Sequence, residues 1–262
     1  MGKKRSVKTH SSKRTAAVLM LSLIAIVLAA GAAVYIPQIA SVSTNSDGKE
    51  LAIHCIDTKK PQVALSFDAA SESEDLQTIL DILAKHDVKA TFFMTGQWVE
   101  SYPDDVMRIY EAGHDLGNHG ETHSSMSELS VDQRTEELMN VHEKVTALTG
   151  VEMELFRPPY DEYTNKVLKE IAANNYYTIE WSIDSADWKD YGADSIVQTV
   201  TQHKNLENGA IILMRIGTKY TKDALEGIIT TLQDQGYELV PVSSLIYKDN
   251  YYVDPAGKQI RE

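Results

Sequence analysis

The stretch VALSFDAASESE, Val63 to Glu74, decides the reading of the chain. An apolar run of strand type ends on a single carboxylate, Asp68, with two alanines behind it. A strand that needs only to stop uses Gly, Asn or Pro. The helix expected next has its own start signal in Ser71 and Glu74, three residues apart as in a capping box. Asp68 is therefore surplus to local structure, which marks it as a candidate for chemistry.

Outward from that strand the pattern alternates. Short apolar or β-branched runs lie at Gln62 to Phe67, Lys89 to Met94, Asp115 to Gly117, Glu154 to Phe156, Tyr176 to Ile183, Ala210 to Met214 and Glu238 to Val240. Helical patterns fall between them at Asp75 to Lys85, Pro103 to Ala112, Val131 to Leu148, Asn165 to Ala173, Ala193 to His203 and Lys222 to Gln235, with Asp194 placed to cap its helix. Strands alternating with helices predict an α/β fold on a parallel sheet with right-handed crossovers, doubly wound or closed as a barrel, over residues 61–250. The closing segment 251–262 reads as a strand followed by a frayed tail.

Upstream, residues 1–15 carry six basic and no acidic side chains, and Ala16 to Ile36 runs 21 residues without a charge. That length matches the hydrocarbon core of a bilayer at about 1.5 Å per residue. The competing reading is a cleavable signal peptide, but its apolar region is usually about 7 to 15 residues. The expectation is a single-pass anchor at the cell membrane, basic flank inside and the rest extracytoplasmic. Residues 37–60 then serve as linker and lead-in strand. Taking the tail's +6 from the total of −13 leaves −19 for the remainder. So acidic a domain excludes nucleic acid as a partner and leaves the N-terminal helix as the contact with the membrane. Cys55 is the only cysteine, so no intrachain disulfide forms and the domain depends on its core.

In parallel α/β folds functional residues gather where strands end at their carboxyl side. Asp68 follows the first strand, His119 and His123 the third, Arg157 the fourth, Asp184, Asp187 and Trp188 the fifth, and Arg215 the sixth. His119 and His123 are four apart, a spacing that in a helical turn aims two imidazoles at one metal ion. A chance H-x-x-x-H is the plain alternative; the position after GHDLGN at a strand end favours a site. Arg157 heads RPPY, and its guanidinium beside Asp68 would keep that carboxylate ionised and oriented. Trp188 at a strand end suits a pocket wall as well as a core. His10, His54, His86, His114, His142 and His203 receive no role.

In order, SFDAA, HGETH, RPPY, DSADW and LMR resemble the motifs of the polysaccharide deacetylases of carbohydrate esterase family 4, the NodB-homology domain. The likeness is greatest to its membrane-anchored branch associated with sporulation and peptidoglycan, and it covers about Gln62 to Tyr247. The resemblance implies a distorted TIM-like barrel of about seven β/α units. It also implies hydrolysis of N-acetyl groups on amino sugars of a glycan such as peptidoglycan or chitin. It makes Asp68 the general base, oriented by Arg157, and gives His119 and His123 a divalent ion such as zinc. The backbone at Tyr160 would hold the oxyanion, while Trp188 and Leu213 would line the acetyl pocket. Amide hydrolysis needs an activated water, a polarised carbonyl and a proton for the departing amine, which is why those residue types belong together.

Two positions depart from the family pattern. Ala69 stands where a second Asp usually ligates the metal. Arg215 stands where a His usually acts as general acid, and a guanidinium with a pKa above about 12 is a poor acid. Arg215 is expected to pair instead with Asp187, the residue that would support the missing His. The sequence therefore allows a deacetylase, or a catalytically silent deacetylase-like module that binds glycan or a partner. A glycosidase with paired carboxylates fits less well, because Asp184 and Asp187 come from one loop and no Glu follows a strand in the proper place.

Overall fold

The computed structural model describes residues 51–262. Eight strands form one sheet whose strand pairs all run parallel: β2 (Gln62–Ala69), β3 (Thr91–Met94), β4 (Asp115–Asn118), β5 (Leu155–Phe156), β6 (Tyr177–Thr178), β7 (Ile183–Asp184), β8 (Ile211–Arg215) and β9 (Glu238–Leu239). Their order is β6-β5-β4-β3-β2-β8-β7, with β9 also on β2. The two ends of that order, β6 and β7, are halves of one extended run. Its first half pairs with β5 and its second with β8, so the sheet curls back toward itself. The strand expected at Tyr176 to Ile183 is thus broken where it changes partner. There Ile53 of the lead-in segment bridges to Ile179, and the Glu180 amide donates to the Ile53 carbonyl.

Parallel strands covered on both faces read as continuous apolar runs, and Val63 to Phe67 are all fully buried. The odd positions of β2, Val63, Leu65, Phe67 and Ala69, join the larger core cluster, where helices press on the sheet. Ala64 joins the smaller interior cluster with Phe93, Leu155, Ile179 and Ile211. Ser66 and Asp68, at the same parity as Ala64, reach the interior-facing Arg157. Period-two alternation therefore aims Asp68 inward at the strand's carboxyl end. The first helix among the described residues, Leu76–Lys85, buries Leu76, Ile79, Leu80 and Leu83, the i, i+3, i+4, i+7 stripe that fixes its packing.

Several local expectations are corrected. The capping box at Ser71 and Glu74 does not form. The helix starts after Asp75 without a side-chain cap, because the loop is tied to the chain beyond β8: Ser71 Oγ donates to the Ile216 carbonyl and Asp75 Oδ1 accepts from the Gly217 amide. Gly192 takes the cap position assigned to Asp194, which lies in the first turn of helix Ala193–Thr201. Helices Gly96–Ser101 and Val242–Leu245 were not expected. The closing segment is no frayed tail: β10 (Tyr251–Val253) and β11 (Lys258–Arg261) form an antiparallel pair, and β11 also pairs with the lead-in strand β1 (Cys55–Ile56). The expected anchor at 16–36 lies outside the described residues. Among those described, no helix is long and apolar enough to cross a membrane.

Candidate active site

Arg157 organises the site. It is fully buried and its guanidinium makes four hydrogen bonds. Nη1 donates to Asp68 Oδ1 at 2.7 Å, Nη2 to Ser66 Oγ at 2.8 Å and to the Glu180 carbonyl at 3.3 Å, and Nε to the Ile179 carbonyl at 3.4 Å. Its Cζ lies 4.1 Å from the centroid of the Phe93 ring and 5.5 Å from that of Trp181. Phe93 reaches that position by lying directly on Gly117, where a Cβ would meet the ring at 2.5 Å.

Asp68 is shaped by this neighbour. Burial by itself would raise its pKa, but the Arg157 charge and hydrogen bond, with smaller help from His119 and Arg215, hold it below the usual carboxylate range. His119 lies on the other side, its Nε2 3.6 Å from Asp68 Oδ2. Its Nδ1 is 2.8 Å from the Arg157 carbonyl; a carbonyl only accepts, so Nδ1 carries the proton and Nε2 presents a lone pair. Burial pushes the His119 pKa down to about 4. It is neutral at neutral pH, so Arg157 supplies the standing charge beside Asp68.

His123 joins them by a route other than the expected helical turn. The segment is a loop, and His123 adopts φ 58. The two imidazoles meet edge to face with centroids 4.8 Å apart, and the Tyr160 ring packs on His123 at 4.7 Å. Tyr160 itself has φ 67, a left-handed turn after the double proline of the kind that concentrates at functional sites.

A cavity of about 560 Å³ is lined by Asp68, His119, His123, Pro158, Tyr160, Trp181, Trp188 and Arg215. Of the residues expected at the site, Leu213 is fully buried in β8 and is not part of this wall. Trp181 is, although the sequence offered no reason to choose it. Ser66 was also missed, and counting back two residues from Asp68 along an inward-facing strand would have found it.

Arg215 closes the fourth side. Its Nη1 donates to Asp187 Oδ1 at 2.8 Å and to Asp184 Oδ1 at 3.3 Å, and its amide donates to Asp187 Oδ2 at 2.7 Å. Asp187 is wholly buried and accepts a further bond from Thr221 Oγ1 at 2.7 Å. Burial would lower the Arg215 pKa, but the two aspartates raise it above its ordinary value.

For a divalent ion the residues present supply two imidazoles. Catalytic zinc takes about three protein ligands, Ala69 has no donor atom, and Asp68 Oδ1 is committed to Arg157. Among the described residues no group of three His, Cys, Asp or Glu side chains is disposed to hold a metal. The donor set falls short of a three-ligand catalytic site.

Comparison with known proteins agrees with the geometry. The polysaccharide deacetylase family model matches residues 56–179. The YlxY protein of Bacillus subtilis is 37% identical over 71% of this chain and 58% of its own length. The peptidoglycan-N-acetylglucosamine deacetylase of Bacillus cereus is 34% identical over 71% of this chain and 68% of its own. Among solved structures, a CE4-family pseudoenzyme from Bacillus anthracis, BA3943, superposes with a TM-score of 0.72 at 32% identity, covering 80% of this chain and 73% of its own. A mutant of it with restored enzymatic activity matches at 36% identity, again with a TM-score of 0.72. With the fold, the motif order and relatives matched over most of their length in agreement, this chain belongs to the polysaccharide deacetylase family of hydrolases.

Proposed function

We propose that the chain removes N-acetyl groups from amino sugars of a cell-wall glycan of the peptidoglycan type, slowly for its family, from a domain tethered outside the cell membrane by residues 16–36. One observation carries this reading: at the cavity floor Asp68 is held ionised by Arg157, with the free lone pair of His119 beside its second oxygen. Two acceptors converging there favour a water molecule as donor, and Asp68 takes the proton as that water attacks the acetyl carbonyl. Tyr160 lines the cavity in a left-handed turn, and its backbone amide would serve the developing oxyanion. Trp181 and Trp188 wall the space for the acetyl methyl and the sugar face. The departing amine needs a proton that Arg215 does not give, so the proton gathered by Asp68 must serve. Loss of a dedicated acid costs about 10² to 10⁴ in rate. Because the donor set for an ion is incomplete, these steps use only the chain's own groups; a bound divalent ion would add carbonyl polarisation. The test is acetate release from N-acetylated peptidoglycan by the full chain and by Asp68→Asn.

A second reading is favoured by a specific contact. Arg215 pairs with Asp187 at the position of the expected acid, a contact that would preserve the fold while silencing the chemistry. The protein would then bind acetylated glycan without turning it over. Glycan binding without acetate release by the wild type is the result that selects it.

A further inference from the structure

The deepest anomaly in the domain is Glu180. It is wholly buried where the extended run passes from β6 to β7, and neither carboxyl oxygen has a hydrogen-bond partner among the described residues. Its main chain is engaged, the amide with Ile53 and the carbonyl with Arg157 Nη2, and the side chain that its carboxyl meets is that of Asp161, another acid with no proton to donate when ionised. A buried carboxyl with no donor is costly when ionised, and such a group calls for an explanation.

The charged groups facing it supply one. Asp161, Arg157 and Asp68 all act on Glu180, and it acts in turn on the Tyr163 hydroxyl. Burial, then the Asp161 carboxylate, drives its pKa well above the ordinary glutamate value, with Arg157 opposing and Asp68 adding to the rise. An ionised Glu180 would be a second anion behind the one guanidinium that orients Asp68.

We propose that Glu180 is a positioning residue: buried without a donor where its own carbonyl meets Arg157 Nη2, its carboxyl governs how firmly that guanidinium holds Asp68. The proposal rests on Asp68 being the working base, and its test needs neither glycan nor turnover. The probe is the Arg157 Nε–H resonance of the full chain in detergent, assigned by its loss in Arg157→Lys and followed by NMR against pH, with the Glu180 carboxyl carbon followed beside it. The expected result is that the Glu180 signal titrates well above the ordinary glutamate range, that the Arg157 signal moves at the same midpoint, and that Glu180→Gln abolishes that movement. A Glu180 signal titrating near the ordinary glutamate value overturns the proposal, as does an Arg157 signal indifferent to it. Both results come from the wild type alone should Glu180→Gln not fold. Absence of acetate release would overturn the enzymatic reading and leave this coupling standing.

Discussion

Arg215 grips Asp187 twice, through its guanidinium to one carboxylate oxygen and its own backbone amide to the other. The carboxylate is fully buried and the guanidinium about a quarter exposed. One residue thus fills the place of a proton donor and satisfies the charge that a histidine there would need. Removing the guanidinium orphans the buried carboxylate, which keeps only Thr221 and one amide. Arg215→Ala is therefore expected to destabilise the domain by about 3 kcal/mol, the low end for a broken buried pair, as read by urea unfolding.

Arg215→His follows from the same geometry with the opposite functional sign. An imidazole there can donate one ring N–H to the Asp187 carboxylate and, when protonated, give the proton on its other nitrogen to the departing amine. Acetate release by this variant is expected to exceed that of the wild type by about tenfold or more, within the range general acids contribute. An unchanged rate would show that proton delivery to the amine is not what limits the reaction.

Ala69 gives a prediction about metal. It is fully buried, so an aspartate there is costly unless an ion takes up its charge. Ala69→Asp is expected to unfold at lower temperature than the wild type in chelator and to gain more from added zinc, since a ligand that binds the folded state stabilises it. Equal zinc responses in the two proteins would place residue 69 outside any metal site.

How much of this was legible beforehand depends on the scale at which each feature is fixed. Asp68, Arg157, His119, His123 and Arg215 were readable because strand ends concentrate function and because an inward parity fixes where a strand's last residue points. The pairing of Arg215 with Asp187 was expected from the resemblance, which makes Asp187 the support of the missing His, and the two side chains do meet. What escaped depends on contacts distant in sequence. The capping box failed because residues 216 and 217 claim Ser71 and Asp75. The tail became a hairpin because β1, some 200 residues earlier, supplies its partner. Trp181 and Glu180 carry no local signal; they matter because one extended run changes partners beside Arg157.

The buried histidines set the acid side of stability. Burial, then the charge of Lys89, pushes the His114 pKa down to about 4, and its Nδ1 accepts from the Ala90 amide. A histidine depressed in the folded state stabilises fully above its unfolded value of about 6.5 and loses that contribution as pH falls toward 4, by about 1.4 kcal/mol per pH unit. His119 behaves in the same way. Unfolding free energy is expected to fall between pH 6.5 and 4.5, and His114→Gln to flatten that slope by about half. Parallel curves for the two proteins would mean that His114 is protonated in the folded state.

Trp188 is 57% exposed at the cavity mouth. Its replacement by alanine is expected to change stability by less than about 0.5 kcal/mol, as for most surface sites. Affinity for an N-acetylglucosamine oligomer should weaken several-fold by calorimetry. Unaltered affinity would move the glycan to another face.

The most direct measurement is acetate released from N-acetylated peptidoglycan by the full chain, beside Asp68→Asn under the same conditions. Slow release by the wild type that vanishes in Asp68→Asn is the expected result. Equal release by both, or none by a wild type that still binds the glycan, contradicts the assignment of Asp68 as a working base.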